Sequence, residues 1–128
     1  MARTRVLVAD TDMLGADALA VSLRLAGYDT LTAFDVHSAV DDVRAWRPDV
    51  IVLDPRLPGG DAVAEVRRAD PAVAIVAALA RSDARLRVAA LVAGADAALD
   101  KPFTLDEAAA VIDALQRGNR RRHHPVAG

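Results

Sequence analysis

The sequence predicts an α/β domain: a five-stranded parallel sheet with helices on both faces. Three observations lead there. Short apolar runs alternate with segments patterned at helical spacing from one end of the chain to the other. Most of those runs are apolar without alternation, as strands covered on two sides require. The chain has 128 residues, 53% of them hydrophobic, which suits one domain with one aliphatic core.

The elements read in order. Arg5 to Ala9 (RVLVA) is the first strand. Leu14, Ala18, Val21 and Leu25 recur at helical spacing, and Gly27 follows as a stop signal. Asp29 to Ala33 (DTLTA) is rich in β-formers but more polar, which suits an edge strand. Val36, Val40 and Val43 mark a second helix, with Pro48 just beyond it. Asp49 to Leu53 (DVIVL) is the third strand, and a short helix fits between Gly60 and Ala69. Val73 to Ala78 (VAIVAA) is the fourth strand, and Ser82 or Asp83 caps a helix ending at Gly94. Ala95 to Leu99 is a weaker fifth strand. Thr104 and Glu107 have the spacing of a capping box, and Leu105, Ala108, Ile112 and Leu115 form the inner stripe of the last helix. Strands alternating with helices favour right-handed crossovers, and such sheets place functional groups at the carboxyl ends of their strands.

Composition excludes several classes. With no cysteine, the chain has no disulfide, thiolate metal site or cysteine nucleophile. No apolar run approaches the roughly 20 residues of a membrane helix. The opening MARTRVLVAD reads as a first strand rather than a signal peptide, so a cytoplasmic protein is expected. The net charge of −2 hides an asymmetry, because Arg117, Arg120, Arg121 and Arg122 lie in an acid-free tail and leave the body acidic. An acidic body argues against nucleic-acid binding by the domain itself. The tail, with His123 and His124, reads as a solvated linker end and not as a metal site.

Three strand ends carry the chemistry. The first strand runs into Asp10-Thr11-Asp12, the third into Asp54, and the fifth into Asp100-Lys101-Pro102. In a parallel sheet these groups converge on one rim. Clustered carboxylates repel and call for a cation between them, and oxygen ligands suit Mg²⁺. A carboxylate can attack a phosphoryl group to give an acyl phosphate, with catalysis resting on positioning and charge neutralisation. Asp54 is the candidate nucleophile and Lys101 the candidate clamp on a phosphoryl oxygen. Asp10 and Asp54 also read as caps of strand-to-helix turns, where Asp is common. No Gly-rich loop follows the first strand, which disfavours an unrelated nucleotide binder or small α/β enzyme.

The segments VLVADTD, PDVIVLDPRLPGGDA and GADAALDKPF occur in order and resemble the signatures of receiver domains of two-component response regulators. The resemblance covers about residues 4 to 117. It implies the flavodoxin-like receiver fold with strand order 2-1-3-4-5, a receiver domain over 1–117 and a basic tail or linker over 118–128. It implies a non-enzymatic signalling role in a phosphorelay, with Asp54 as phosphoacceptor and Lys101 as its partner. Mg²⁺ would be held by Asp10, Asp54 and the backbone carbonyl of Arg56, with Asp12 as a further candidate. Pro102 falls on a position often cis in this family. The implied partners are a histidine kinase or other signalling protein and, beyond these 128 residues, a DNA-binding output domain.

Four positions depart from the family pattern. Thr11 stands where a second metal-binding acid is usual, and a neutral hydroxyl is a poorer ligand, so weak Mg²⁺ binding is expected. Leu79 replaces the usual Ser or Thr that meets the phosphoryl oxygen. Ala98 replaces a switching aromatic, and Pro55 removes a backbone donor beside the acceptor. An atypical receiver is therefore expected; the alternative is a phosphorylation-independent pseudo-receiver acting through protein or small-ligand binding. The helix from Asp83 to Ala93 is apolar all round after Arg87. Leu86, Val88, Leu91 and Val92 are candidates for a partner surface, and the resemblance implies a homodimer through the fourth helix, fifth strand and fifth helix.

Overall fold

The computed structural model describes residues 2–123. Five strands, β1 (Arg5–Ala9), β2 (Asp29–Ala33), β3 (Val50–Leu53), β4 (Ala74–Ala80) and β5 (Ala97–Lys101), alternate with five helices. The helices are α1 (Met13–Leu25), α2 (Val36–Trp46), α3 (Ala62–Ala69), α4 (Ala84–Ala93) and α5 (Leu105–His123). All strand pairs are parallel and the sheet order is β2-β1-β3-β4-β5, as the resemblance implies. The final five residues, including His124 of the tail pair, lie outside the described residues. Helix α5 passes residue 117, the expected domain limit, and continues to His123.

Alternation along the strands divides the core in two. Leu7, Ile51, Ile75 and Leu79 meet α2, α3 and α4 on one face. Val6, Val52, Val76 and Ala78 meet α1 and α5 on the other. The central strands β1, β3 and β4 are almost continuously buried, which explains their unbroken apolar runs. Side-chain caps fix three helix starts: Asp12 accepts from the Gly15 N–H, Asp35 from Ser38 and Asp61 from Ala64. The expected capping box is present, with reciprocal 3.1 Å bonds between Thr104 and Glu107. Its expected inner stripe also packs inward, with Ala108 and Ile112 buried and Leu105 and Leu115 against the same core.

The structure adds direction to one apolar pattern and extends two others. The stripe Leu14, Ala18, Val21 and Leu25 that marks α1 faces solvent, while Ala16, Ala20 and Leu23 carry its buried side. Periodicity located the helix but could not say which of two apolar faces meets the sheet. The later strands also run further than the apolar runs suggest. Leu79 pairs with Asp100 and Ala80 with Lys101, so β4 and β5 extend together through residues that are not uniformly apolar.

Tyr28, the sole tyrosine, is buried at the end of α1 and donates a 2.7 Å hydrogen bond to Asp113 Oδ1 on α5. Burial first, then the bond to Asp113 and its charge, push the phenol pKa from 10.0 up to about 12. The folded state thus favours the neutral phenol. Its stabilisation is complete below pH 10 and is lost as pH rises toward 12. Absorbance titration of phenolate is expected to show a native midpoint near 12, and Asp113→Asn is expected to lower it.

Candidate functional site

The strand order reverses beside β1, so the crevice beyond the carboxyl ends of β1 and β3 is the natural binding position. Ala9 pairs with Leu53, which carries Asp10 and Asp54 off the sheet side by side. The Asp54 N–H donates to Ala9 O at 2.9 Å and the Asp10 N–H to Ala33 O at 3.1 Å. Lys101 reaches the same rim from the end of β5. Its Nζ donates to Asp10 Oδ2 at 2.6 Å and Asp54 Oδ2 at 2.8 Å. Desolvation alone would lower the lysine pKa. Hydrogen bonds and Coulombic attraction to the two carboxylates outweigh it and raise the pKa above the usual amine value.

Asp54 is only 5% exposed, so its charge relies on these partners rather than on water. Its Oδ1 accepts the Arg56 N–H at 2.8 Å, while Asp10 Oδ1 accepts the Asp12 N–H at 3.0 Å. Every oxygen of the two carboxylates therefore has a protein donor. Arg56 contributes more than the backbone role foreseen for it. Its Nε lies 3.7 Å from Asp54 Oδ1 and its Nη1 3.6 Å from Asp83 Oδ2. The Asp83 carboxylate makes no side-chain cap bond to α4, although the residue stands at the expected cap position. The Asp54 O to Leu57 N–H turn, at 3.0 Å, belongs to the loop that carries Arg56 back over the acceptor.

Two of the expected Mg²⁺ ligands, Asp10 and Asp54, meet at the rim, where the Lys101 ammonium bridges their carboxylates. No cluster of three or more His, Cys, Asp or Glu able to hold a metal occurs among the described residues. Thr11 is exposed. Asp12, the further candidate ligand, is an N-cap: its Oδ1 accepts the Gly15 N–H at 3.0 Å, and a side chain at Gly15 would run into that carboxylate. The cap bond occupies one oxygen of that carboxylate and orients it toward the start of α1.

The departures from the family pattern also have clear places. Leu79 is fully buried on the α4 side of β4, and Ala98 packs half-buried against the same cluster. Both positions are filled by core carbons, without a hydroxyl or a ring. The peptide between Lys101 and Pro102 is cis. On α4, Val88, Leu91 and Val92 are exposed, whereas Leu86 is partly buried against the α2–α4 core. Asp100 points away from Lys101 and pairs with Arg81 and Arg87, contacts that sequence reading did not anticipate. On its α1–α5 side the rim opens into a cavity of about 530 Å³, lined by Val8, Ala16, Leu19, Val52 and Phe103 beside Asp10 and Lys101.

The fold and the rim define a class: a doubly wound domain whose strand ends hold a buried carboxylate against a lysine. The chain matches the response regulator receiver domain family over residues 6–113. It is 41% identical over 119 residues to the DNA-binding response regulator MtrA of Mycobacterium tuberculosis, covering 91% of this chain and 52% of that protein. A probable transcriptional regulatory protein of the same organism, TcrX, is 36% identical over 115 residues, covering 88% of this chain and 49% of TcrX. Among solved structures, a CheY-like response regulator receiver domain protein from Methanospirillum hungatei superposes with a TM-score of 0.87 at 18% identity, covering 94% of this chain and 99% of that one. A response regulator from Chloroflexus aurantiacus, itself a provisional assignment, gives 0.81 at 28% identity, covering 89% and 98%. The chain belongs to the receiver-domain family of two-component response regulators. It spans about half the length of the curated relatives it matches.

Proposed function

We propose that this chain is an atypical receiver in which Asp54 is the phosphoacceptor but accepts slowly, with Mg²⁺ held weakly and the output carried by partner binding. The observation behind this reading is the Lys101 ammonium seated between Asp10 and Asp54 while Thr11 occupies the second acid position. In the transfer, an Asp54 oxygen bonds to phosphorus as the phosphorus–nitrogen bond of a kinase phosphohistidine breaks, and the imidazole leaves with the electron pair. Lys101 must turn from a carboxylate to a phosphoryl oxygen, and the Arg56 guanidinium is the nearest further positive charge. With Leu79 and Ala98 in place, the acyl phosphate meets no hydroxyl on β4 and swings no ring on β5.

Small phosphodonors with Mg²⁺ are expected to label Asp54 only to a small fraction, read by intact-mass spectrometry, with no label in Asp54→Asn. Losing even an outer-shell partner weakens metal binding by on the order of 10–100-fold. Thr11→Asp, which restores a direct ligand, is therefore expected to recover at least a factor of that size in Mg²⁺ affinity, measured from amide shifts at Asp10, Asp54 and Lys101. Rapid stoichiometric labelling of the natural chain, with a large change in oligomeric state, would overturn the reading.

The donor on this reading is a histidine kinase or other signalling protein, and Val88, Leu91 and Val92 on α4 are the apolar side chains a partner, including a second copy, would cover. The likeness to MtrA, a DNA-binding response regulator, supports a DNA-binding element as the eventual output. One observation favours a second reading, that of a pseudo-receiver. The 530 Å³ cavity beside Asp10 and Lys101 has the size and apolar lining of a small-ligand site. Ligand-induced shifts at Leu19 and Phe103 that persist in Asp54→Asn would support it.

A further inference from the structure

We propose that α1 pairs with the α1 of a second copy of this chain, antiparallel, about a two-fold axis. Leu14 is 84% and Leu25 86% exposed, and between them Ala18 and Val21 complete one solvent-facing stripe. The side chains that meet the sheet, Ala16, Ala20 and Leu23, lie on the opposite side of the helix. The stripe thus points away from the body, and nothing among the described residues covers it.

The identity of the covering partner follows from the order of the residues. Their spacing of four, three and four is that of a coiled-coil seam and is unchanged when the helix is reversed. A two-fold interface must be complementary to itself. Antiparallel pairing centred between Leu19 and Ala20 sets Leu14 against Leu25 of the other copy at both ends. At the centre it sets Ala18 against Val21, small against medium. Parallel pairing would instead stack Ala18 on Ala18 and leave a gap.

The charges agree. Asp17 and Arg24 are both exposed and lie on the same flank of the stripe, seven residues apart. An antiparallel two-fold brings like flanks together, so each Asp17 falls within reach of the other copy's Arg24. Arg24 donates one N–H to Thr30 Oγ1 at 3.1 Å, and a guanidinium has five. The opposite flank, Gly15 and Ser22, is small and neutral. A single helix on each side gives an interface at the small end of the specific range, so a weak, concentration-dependent dimer is expected.

Sedimentation equilibrium of the full chain tests this. Dimer is expected in the range of about 100 μM. Leu25→Glu should weaken it at least tenfold, while Ala45→Glu, at an exposed position of α2, leaves it unchanged. Asp17→Arg should weaken it several-fold, and adding Arg24→Asp should restore it. Circular dichroism and thermal midpoints confirm that each variant folds. The chain has no cysteine, so single-cysteine variants report geometry. In the antiparallel pair the two copies of residue 18 are offset by about 4.5 Å along the axis and those of residue 14 by about 16 Å. Ala18→Cys should therefore cross-link readily and Leu14→Cys should not. A monomer up to about 1 mM, a dimer lost in Val92→Glu but kept in Leu25→Glu, or preferential cross-linking at residue 14 each overturns the proposal.

Discussion

Replacing Arg67 with alanine is expected to lower the unfolding free energy by about 3–5 kcal/mol, among the largest losses available to a single polar substitution in this domain. Arg67 sits in the last turn of α3. Its Nη1 donates to the backbone carbonyls of Val73 at 2.6 Å, Pro71 at 3.0 Å and Asp70 at 3.4 Å. Its Nη2 donates to Gly94 O at 2.7 Å and Asp96 Oδ2 at 2.9 Å, and its Nε to Gly94 O at 3.2 Å. One planar fork therefore ties the end of α3, the entry to β4, the end of α4 and the entry to β5. Hydrogen bonds to a charged donor are each worth about 1.5–3 kcal/mol, but they share one group and do not add.

Removing the side chain takes the charged donor from four backbone carbonyls, and it leaves the Asp96 carboxylate with the Ile75 N–H at 2.8 Å. Chemical denaturation should show the loss, with a fall in thermal midpoint of roughly 10–15 °C. Arg67→Lys should recover less than half, because a point ammonium cannot reproduce the fork. Gly94→Ala should act on the same knot from the other side. Gly94 has φ +123°, and an added Cβ would lie 3.1 Å from Arg67 Cγ. If Arg67→Ala retains the stability of the natural chain to within about 1 kcal/mol, the knot is decorative.

Lys101→Met should be the second large effect, and it should depend on pH. The substitution keeps much of the side-chain volume but removes the ammonium from between Asp10 and Asp54. Deleting one partner of a buried ion network costs about 3–5 kcal/mol when the others remain charged; the Lys101 side chain is 28% exposed, water screens part of this, and about 2–3 kcal/mol is expected. Here the remaining groups are two adjacent carboxylates left without the cation they share.

The natural chain itself loses this contribution at the alkaline end. Because the folded lysine pKa is raised, its contribution is complete below the ordinary amine value and fades as pH climbs through the higher folded one. Asp10→Asn in the Lys101→Met background should recover part of the stability by relieving repulsion. A pH-independent loss, or no recovery, would mean that the rim is held by packing instead. Lys101→Met should also remove whatever phosphoryl acceptance Asp54 shows, since the transferring group would lose its nearest positive charge.

Much of this domain was legible in the order of its residues. Apolar runs and helical spacings located all ten elements, because strands buried on both faces and helices over them leave different periods. Asp10, Asp54 and Lys101 could be placed on one rim because each follows or ends a strand of a parallel sheet, and parallel strands end together. Thr11, Leu79 and Ala98 could be read as departures because what matters at those positions is chemical type.

Tertiary structure decided what depends on direction rather than period. A helix with apolar residues on two sides gives no sign of which side meets the sheet. Thus Leu14, Ala18, Val21 and Leu25 lie on the solvent face of α1, and Leu86 is partly buried against the core. Hydrogen-bond partners distant in the chain were equally hidden. Arg67 and Arg56 look like ordinary surface charges until the fold brings carbonyls to the first and a buried carboxylate to the second. Sequence sets which groups are available and at what spacing; their mutual approach, and with it the balance of charge around Asp54, is set only when distant segments share one surface.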